Sequence, residues 1–293
     1  MISVGHIAGW VRRRRALRRR FNPYIAGTPV FDRQLFYGRQ ALALQTLELL
    51  GSHSVELAGE RRIGKTSFLH HLKRVLREHA GERLFFPVFV DLEAVTASSF
   101  FHALMEETVE TLALSPRALA ELRFSGEHNG YGAHDFSHDL RRVVEDLRGR
   151  AQQQVSLVLL IDEVDALRED PHPIGDPWLA FLEDCSQDLR VVLAGVGRGS
   201  HGTLDAVELE PFTPEEAEAL VIGPVAGVFR YEPRAVERIL QLSGRRPYPI
   251  QRLCLHAVNL MLDEGRTTVW PRDVEAASRE AGLRQVFSVD ERN

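Results

Sequence analysis

The sequence predicts an α/β protein with a mainly parallel sheet, followed by an all-helical region. Three observations carry this. Apolar runs at Val55–Ala58, Leu84–Val90, Val155–Ile161 and Arg190–Ala194 alternate with segments of helical periodicity. The runs are continuous, as expected of strands buried on both faces. Beyond Pro211 they stop, and helical patterns alone follow.

Taken in order, Asn22–Arg39 is rich in Pro, Gly and aromatics and reads as an ordered arm. A helix is expected over Gln40–Leu50. The strand Val55–Ala58 runs into a glycine loop, and a helix follows from Lys65 to about His79. There Phe68, Leu69, Leu72, Val75 and Leu76 recur at helical spacing. After the run ending at Asp91, Ser98 or Ser99 is placed to cap a helix reaching Leu114. Residues 115–135 read as an irregular surface insertion, and a helix is expected over Phe136–Arg150. The most apolar run ends in Asp162-Glu163. A helix near 177–185, the strand Arg190–Ala194 and a strand at Ala206–Leu209 complete the sheet region. Helices are expected from Pro214, Pro233 and Pro249, with a last one over Pro271–Glu280.

Composition is that of an ordinary globular chain: 293 residues, 44% hydrophobic and 26% charged. Two cysteines, Cys185 and Cys254, suggest neither a disulfide framework nor a cysteine-based metal cluster. No run approaches the length of a membrane span, and no secretion signal follows the basic segment, so a cytoplasmic location is expected. His134 and His138 share a helix face without the further ligands a metal needs. Net charge is −5, yet Arg12–Arg20 holds seven arginines in nine positions. The tract suits a nucleic-acid backbone, an anionic membrane surface or a protein partner, or it never packs at all. It lacks interleaved aromatics for base stacking.

The spacing G-x-x-x-x-G-K-[ST] is met by Gly59, Gly64, Lys65 and Thr66, between a strand and a helix. This is a Walker A phosphate loop. Glycines let backbone N–H groups face phosphates, and the helix N-terminus favours the anion. Lys65 is expected to reach the terminal phosphates and Thr66 to ligate Mg²⁺. The contact set is Gly59, Glu60, Arg61, Arg62, Ile63, Gly64, Lys65, Thr66 and Ser67. Arg61 and Arg62 add charge for phosphate or for a neighbouring subunit. Asp162, at the end of the apolar strand, is assigned to the metal, as in a Walker B strand, and Glu163 to polarising a water. A plainer reading makes Glu163 a helix-start acid. Arg198, after the next strand, is placed to sense phosphate charge, or is a surface arginine. Arg168 and Arg190 are weak candidates for an arginine offered to a neighbouring subunit. The absence of Asn-Lys-x-Asp favours adenine, hence ATP with Mg²⁺.

The chain resembles the AAA-like ATPases of the STAND group. The matching stretches are Phe21-Asn-Pro-Tyr24, Gly27-Thr-Pro-Val30, Phe36-Tyr-Gly38-Arg39, the phosphate loop, Leu-Ile-Asp162-Glu163, Leu209-Glu-Pro211-Phe-Thr-Pro-Glu-Glu-Ala217, and Gly244-Arg-Arg-Pro247-Tyr-Pro-Ile-Gln251. The resemblance implies a RecA-like three-layer P-loop NTPase core with a C-terminal helical lid and nucleotide clamped between them. It implies that Phe36, Gly38 and Arg39 lie on the adenine side and that Pro247 approaches base or ribose. Val196 stands where the family has threonine, which weakens sensing at Arg198.

The expected division is a basic extension at 1–21, an ATPase core at 22–212 and a lid at 213–293. About 30 residues follow Leu262, so a winged helix is expected to be partial or absent. The implied function is an ATP-driven switch with slow hydrolysis, in which nucleotide governs self-association or binding to a separately encoded partner. Alternatives are a nucleic-acid-associated ATPase using Arg12–Arg20 and a nucleotide-binding scaffold with little turnover.

Overall fold

The computed structural model describes residues 12, 15–17, 19–125, 130–151, 153–168, 188–196 and 204–280. The expected helix near 177–185 and Arg198 lie outside them. The described residues separate into two units. One comprises Gln40–Arg61 and Lys65–Leu209; the other comprises Met1–Arg39, Arg62–Gly64 and Glu210–Asn293.

The first unit is built on a parallel sheet. Its elements are α1 (Gln40–Leu50), β1 (Val55–Ala58), α2 (Lys65–Glu78), β2 (Arg83–Asp91), α3 (Phe100–Thr111), α4 (Pro116–Glu121), α5 (Ala133–Arg150), β3 (Gln154–Asp162), α6 (Asp165–Arg168), β4 (Leu189–Gly195) and β5 (Asp205–Glu208). The strand order is β2-β3-β4-β1-β5, with every pair parallel. Every residue of β1 and β4, and all of β3 but Gln154, is buried. That explains the unbroken apolar runs: both faces of these strands are covered. On α2, Phe68, Leu69, Leu72 and Leu76 are buried on one stripe. Each such side chain contributes roughly 1.5–3 kcal/mol by leaving water. Register aligns the strand ends. Ala58 pairs with Gly195 and Asp91 with Asp162, so the loops after β1, β2, β3 and β4 emerge from one edge.

Within the segment expected to be irregular, α4 and the start of α5 are helical. Ser115 Oγ accepts from Ala118 N–H at 3.1 Å and caps α4. The fully buried Asp139 of α5 accepts from Arg123 N–H (2.9 Å), Phe124 N–H (3.0 Å) and the Tyr131 hydroxyl (3.0 Å). One carboxylate thus satisfies these three donors while Leu122, Phe124 and Tyr131 join the core. His138 Nδ1 lies 3.0 Å from the same Asp139, and no metal-holding group occurs among the described residues.

The second unit holds α7 (Pro214–Ile222), β6 (Arg230–Tyr231), α8 (Pro233–Ser243), α9 (Pro247–Asp263), β7 (Thr268–Val269) and α10 (Pro271–Glu280). β6 and β7 form a small parallel pair, so strands do not wholly stop at Pro211. α9 begins two residues before the expected Pro249. Pro247 and Pro249 both sit in its first turn, where proline's missing N–H has no intrahelical partner to lose. Thr213 and Glu216 form a capping box at the start of α7.

The arm 22–39, expected within the ATPase core, groups with this helical unit. Asn22 Nδ2 donates to Leu255 O and to Asn259 Oδ1, each at 2.8 Å. Tyr24 is buried and its hydroxyl donates to Val221 O. Ile25 N–H reaches Gln251 Oε1 at 3.2 Å. The described part of the arginine tract is anchored here too. Ala16 is buried in the helical core and Leu17 packs against it, while Arg12, Arg15, Arg19 and Arg20 are exposed. Arg20 pairs with Asp263 at 2.5 Å. Among the described residues no helix is long and apolar enough to cross a membrane.

Candidate functional site

β1 feeds directly into the glycine loop, and α2 starts at Lys65, so the loop is pinned at both ends by buried elements. The Lys65 ammonium folds over the loop and donates to Gly59 O (2.8 Å) and Glu60 O (3.1 Å). Burial pulls its pKa below the usual lysine value, against the opposing pull of Glu163, Asp162 and Asp165. Ser67 is half-buried on the first turn of α2, and Arg61 is exposed.

Strand β3 delivers Asp162 to the same place. Thr66 Oγ1 donates to Asp162 Oδ2 at 2.6 Å, and Glu163 N–H donates to Asp162 Oδ1 at 3.0 Å. Asp162 is 2% exposed. Burial raises its pKa, and the bond from Thr66 works the other way. Glu163 is exposed, with its carboxyl raised by partial burial and by Asp162 and lowered by Lys65. Its backbone is left-handed, at φ 56°. A non-glycine residue there costs about 1–2 kcal/mol and persists where its neighbours fix it. The Asp162 carboxylate holds its N–H, and Ala166 N–H bonds its carbonyl at 2.9 Å.

Asp165, which the sequence reading did not single out, joins this edge to β4. Its carboxylate accepts from Val196 N–H, and a Cβ on Gly195 would lie 3.0 Å from its Oδ2. Its signal was the acid two positions beyond Glu163. Arg198 follows Val196 by two residues, outside the described set. Arg190 does not reach this edge. It is buried near the first residue of β4, at the opposite end of the sheet, donating to Leu189 O. The side chain of Arg168 is outside the described set.

The remaining expected site residues fall in the helical unit. Phe36 is half-buried, and Pro247 opens α9. Ile63 is buried, and the Arg62 guanidinium lies 4.7 Å over the Tyr248 ring. Gly38 and Arg39 are both left-handed, at φ 73° and 63°. Arg39 N–H donates to Glu216 Oε1 at 2.6 Å, Arg39 Nη2 donates to Glu210 O at 3.1 Å, and its guanidinium lies 4.8 Å over Phe212. A Cβ on Gly64 would sit 3.2 Å from Arg39 Nη1. Arg39 is thus brought to the phosphate-loop glycine itself. Burial lowers its pKa to about 10, with Glu216 opposing. Glu216 was another residue missed, although Thr213-Pro-Glu-Glu216 carries the T-x-x-E capping signature.

Known proteins resemble this chain in fold. A family model described as AAA domain matches residues 51–200. Among solved structures, the Orc2 protein of Aeropyrum pernix is similar with TM-score 0.58 and 16% identity, over 86% of this chain and 70% of that one. Orc1 of the same organism, in complex with DNA, gives 0.55 and 17%, over 84% and 65%. A variant of Thermotoga maritima RuvB gives 0.52 and 15%, over 87% and 73%. This chain therefore spans just under two thirds of the Orc1 chain. These likenesses establish the fold: a RecA-like P-loop core with a C-terminal helical region. No curated protein matches.

Proposed function

The chain belongs to the AAA domain family, and from that premise we propose that it is an ATP-binding and slowly ATP-hydrolysing conformational switch. Its nucleotide state governs self-association or the binding of a separate protein, as in the STAND group that its motifs resemble. The observation that carries the reading is the 2.6 Å bond from Thr66 to Asp162 beside Lys65. It joins the phosphate loop to the acidic strand end.

The residues fit Mg²⁺ and a triphosphate. Magnesium takes oxygen ligands and few protein groups, and Thr66 Oγ1 with Asp162 Oδ2 offers two adjacent oxygens, one on a buried carboxylate. When bound, Mg²⁺ would neutralise phosphate charge. Lys65 would exchange its carbonyl partners for phosphate oxygens. Glu163, whose raised pKa makes it a stronger base than an ordinary carboxylate, would hold a water and accept its proton. Phe36, Gly38, Arg39 and Pro247 are assigned to the nucleoside side and Arg198 to sensing. The domain reading becomes a sheet core with a helical lid to which the 22–39 arm belongs.

The test is ATP turnover and binding. Glu163→Gln should bind ATP within threefold of wild type and lose about 100-fold or more in kcat. A fully active Glu163→Gln contradicts the assignment.

A second reading, a nucleic-acid-associated ATPase, is favoured by one observation. Ala16 and Leu17 of the arginine tract pack on the helical core, and Arg12, Arg15, Arg19 and Arg20 are exposed. Binding to random duplex DNA should then weaken steeply with salt, with a shallower slope once Arg12, Arg15 and Arg19 become Gln. DNA binding that is absent at low salt sinks this reading.

A further inference from the structure

Glu216 does more than a helix cap requires. Capping uses the reciprocal pair Glu216 N–H to Thr213 Oγ1 (3.2 Å) and Thr213 N–H to Glu216 Oε2 (3.1 Å). That occupies one carboxylate oxygen. The other accepts from Arg39 N–H at 2.6 Å, across 177 positions of sequence. The side chain also shapes the residue before. A Cβ on Gly38 would lie 3.1–3.2 Å from three carbons of Glu216. Two consecutive left-handed residues, one of them Arg39, are costly without such a partner.

What this holds in place is a buried cation. Arg39 is 7% exposed. Among the described residues its guanidinium makes one hydrogen bond, to the neutral Glu210 carbonyl. A guanidinium carries five N–H donors, and Nη1 faces the position of a Gly64 side chain. Glu216 opposes the lowering of the Arg39 pKa by burial, and it bonds the Arg39 backbone, not its guanidinium. Donors of Arg39 therefore stay available beside Gly64.

We propose that Glu216 is a positioning residue for nucleotide binding: it sets the Gly38–Arg39 backbone and so holds the Arg39 guanidinium against Gly64 of the phosphate loop. The proposal deepens the ATP-site reading and rests on it. Glu216 itself touches no nucleotide. It makes the capping box of α7 and the loop contact of Arg39 depend on one carboxylate.

Two measurements on the full chain test it. The first is the Kd for MgATP and MgADP. Glu216→Ala should weaken both about tenfold, the loss of one charge-assisted bond. Glu216→Gln, whose amide oxygen still accepts from Arg39 N–H, should stay within about threefold. Thr213→Ala removes only the cap, so it should lower the melting temperature and leave Kd within about threefold. The second is hydrogen exchange without nucleotide. Glu216→Ala should deprotect residues 36–41 and 62–64, and Thr213→Ala should not deprotect 62–64. The proposal is overturned if Glu216→Ala keeps wild-type Kd, if Gln is as weak as Ala, or if exchange at 62–64 is unchanged. Wild-type affinity in Lys65→Ala would instead sink the ATP-site reading, and the exchange result would still decide whether Glu216 holds Arg39 against the loop.

Discussion

The sheet edge around Asp162 and the arm ending at Arg39 each position a buried charge, and they do so in opposite ways. At the sheet edge, position comes from regular structure. β3 is buried along its length, its register with β2 and β4 is fixed, and Asp162 emerges where the strand ends. The side chains then neutralise one another through the Thr66 bond and the nearby Lys65. On the arm no ladder fixes Arg39. A left-handed pair, the distant Glu216 carboxylate and contacts to Glu210 O and Phe212 do it. Substitutions at the sheet edge should therefore change chemistry and spare the fold. Substitutions on the arm should change geometry and stability first.

The largest contrast is expected at Asp162. Asp162→Asn should cut Mg²⁺-dependent turnover by about 100-fold or more. It should also raise the melting temperature. The sign follows from its pKa, which is higher folded than unfolded. The folded state then holds the proton more tightly, and stability falls as pH rises through that window. The neutral amide removes this penalty. Thermal melts and turnover on one preparation check it; a melting temperature that falls sharply would break the comparison.

On the arm the order reverses. Gly38→Ala should destabilise by about 1–2 kcal/mol, through the left-handed backbone and the Glu216 carbons next to it. Any loss of turnover should follow weakened nucleotide binding, with kcat at saturation within about threefold. Urea melts with steady-state kinetics separate the two.

The smallest effect is in the pH profile. The base form of Glu163 is required, and partial burial with Asp162 raises its pKa. The acid limb of kcat should therefore lie above the ordinary glutamate value of 4.5. A rate unchanged down to that value argues that Glu163 is not the base.

The comparison also explains what the sequence made legible. Strand-borne residues were readable because an apolar run ending in acid marks a strand end, and Gly59–Thr66 carries its own spacing. Arg39 was readable only through resemblance, because no local pattern reveals that its N–H meets Glu216. Asp139 was invisible for the same reason. A polar residue on a helix gives no sign that it satisfies the N–H groups of Arg123 and Phe124, so the segment around them looked like an insertion. β6 and β7 are too short for periodicity. Asp165 and Glu216 had local signals, an acid just beyond the strand end and a capping box, and these were passed over beside the stronger motif.

The central claim is that Lys65, Thr66 and Asp162 together bind a magnesium nucleotide. Its most direct test is calorimetric titration of ATP, with and without Mg²⁺, into wild type, Lys65→Ala and Thr66→Val. Wild type should bind more tightly with Mg²⁺, Thr66→Val should lose that Mg²⁺ dependence, and Lys65→Ala should lose about 100-fold in affinity. Equal affinity in all three, indifferent to Mg²⁺, would contradict it.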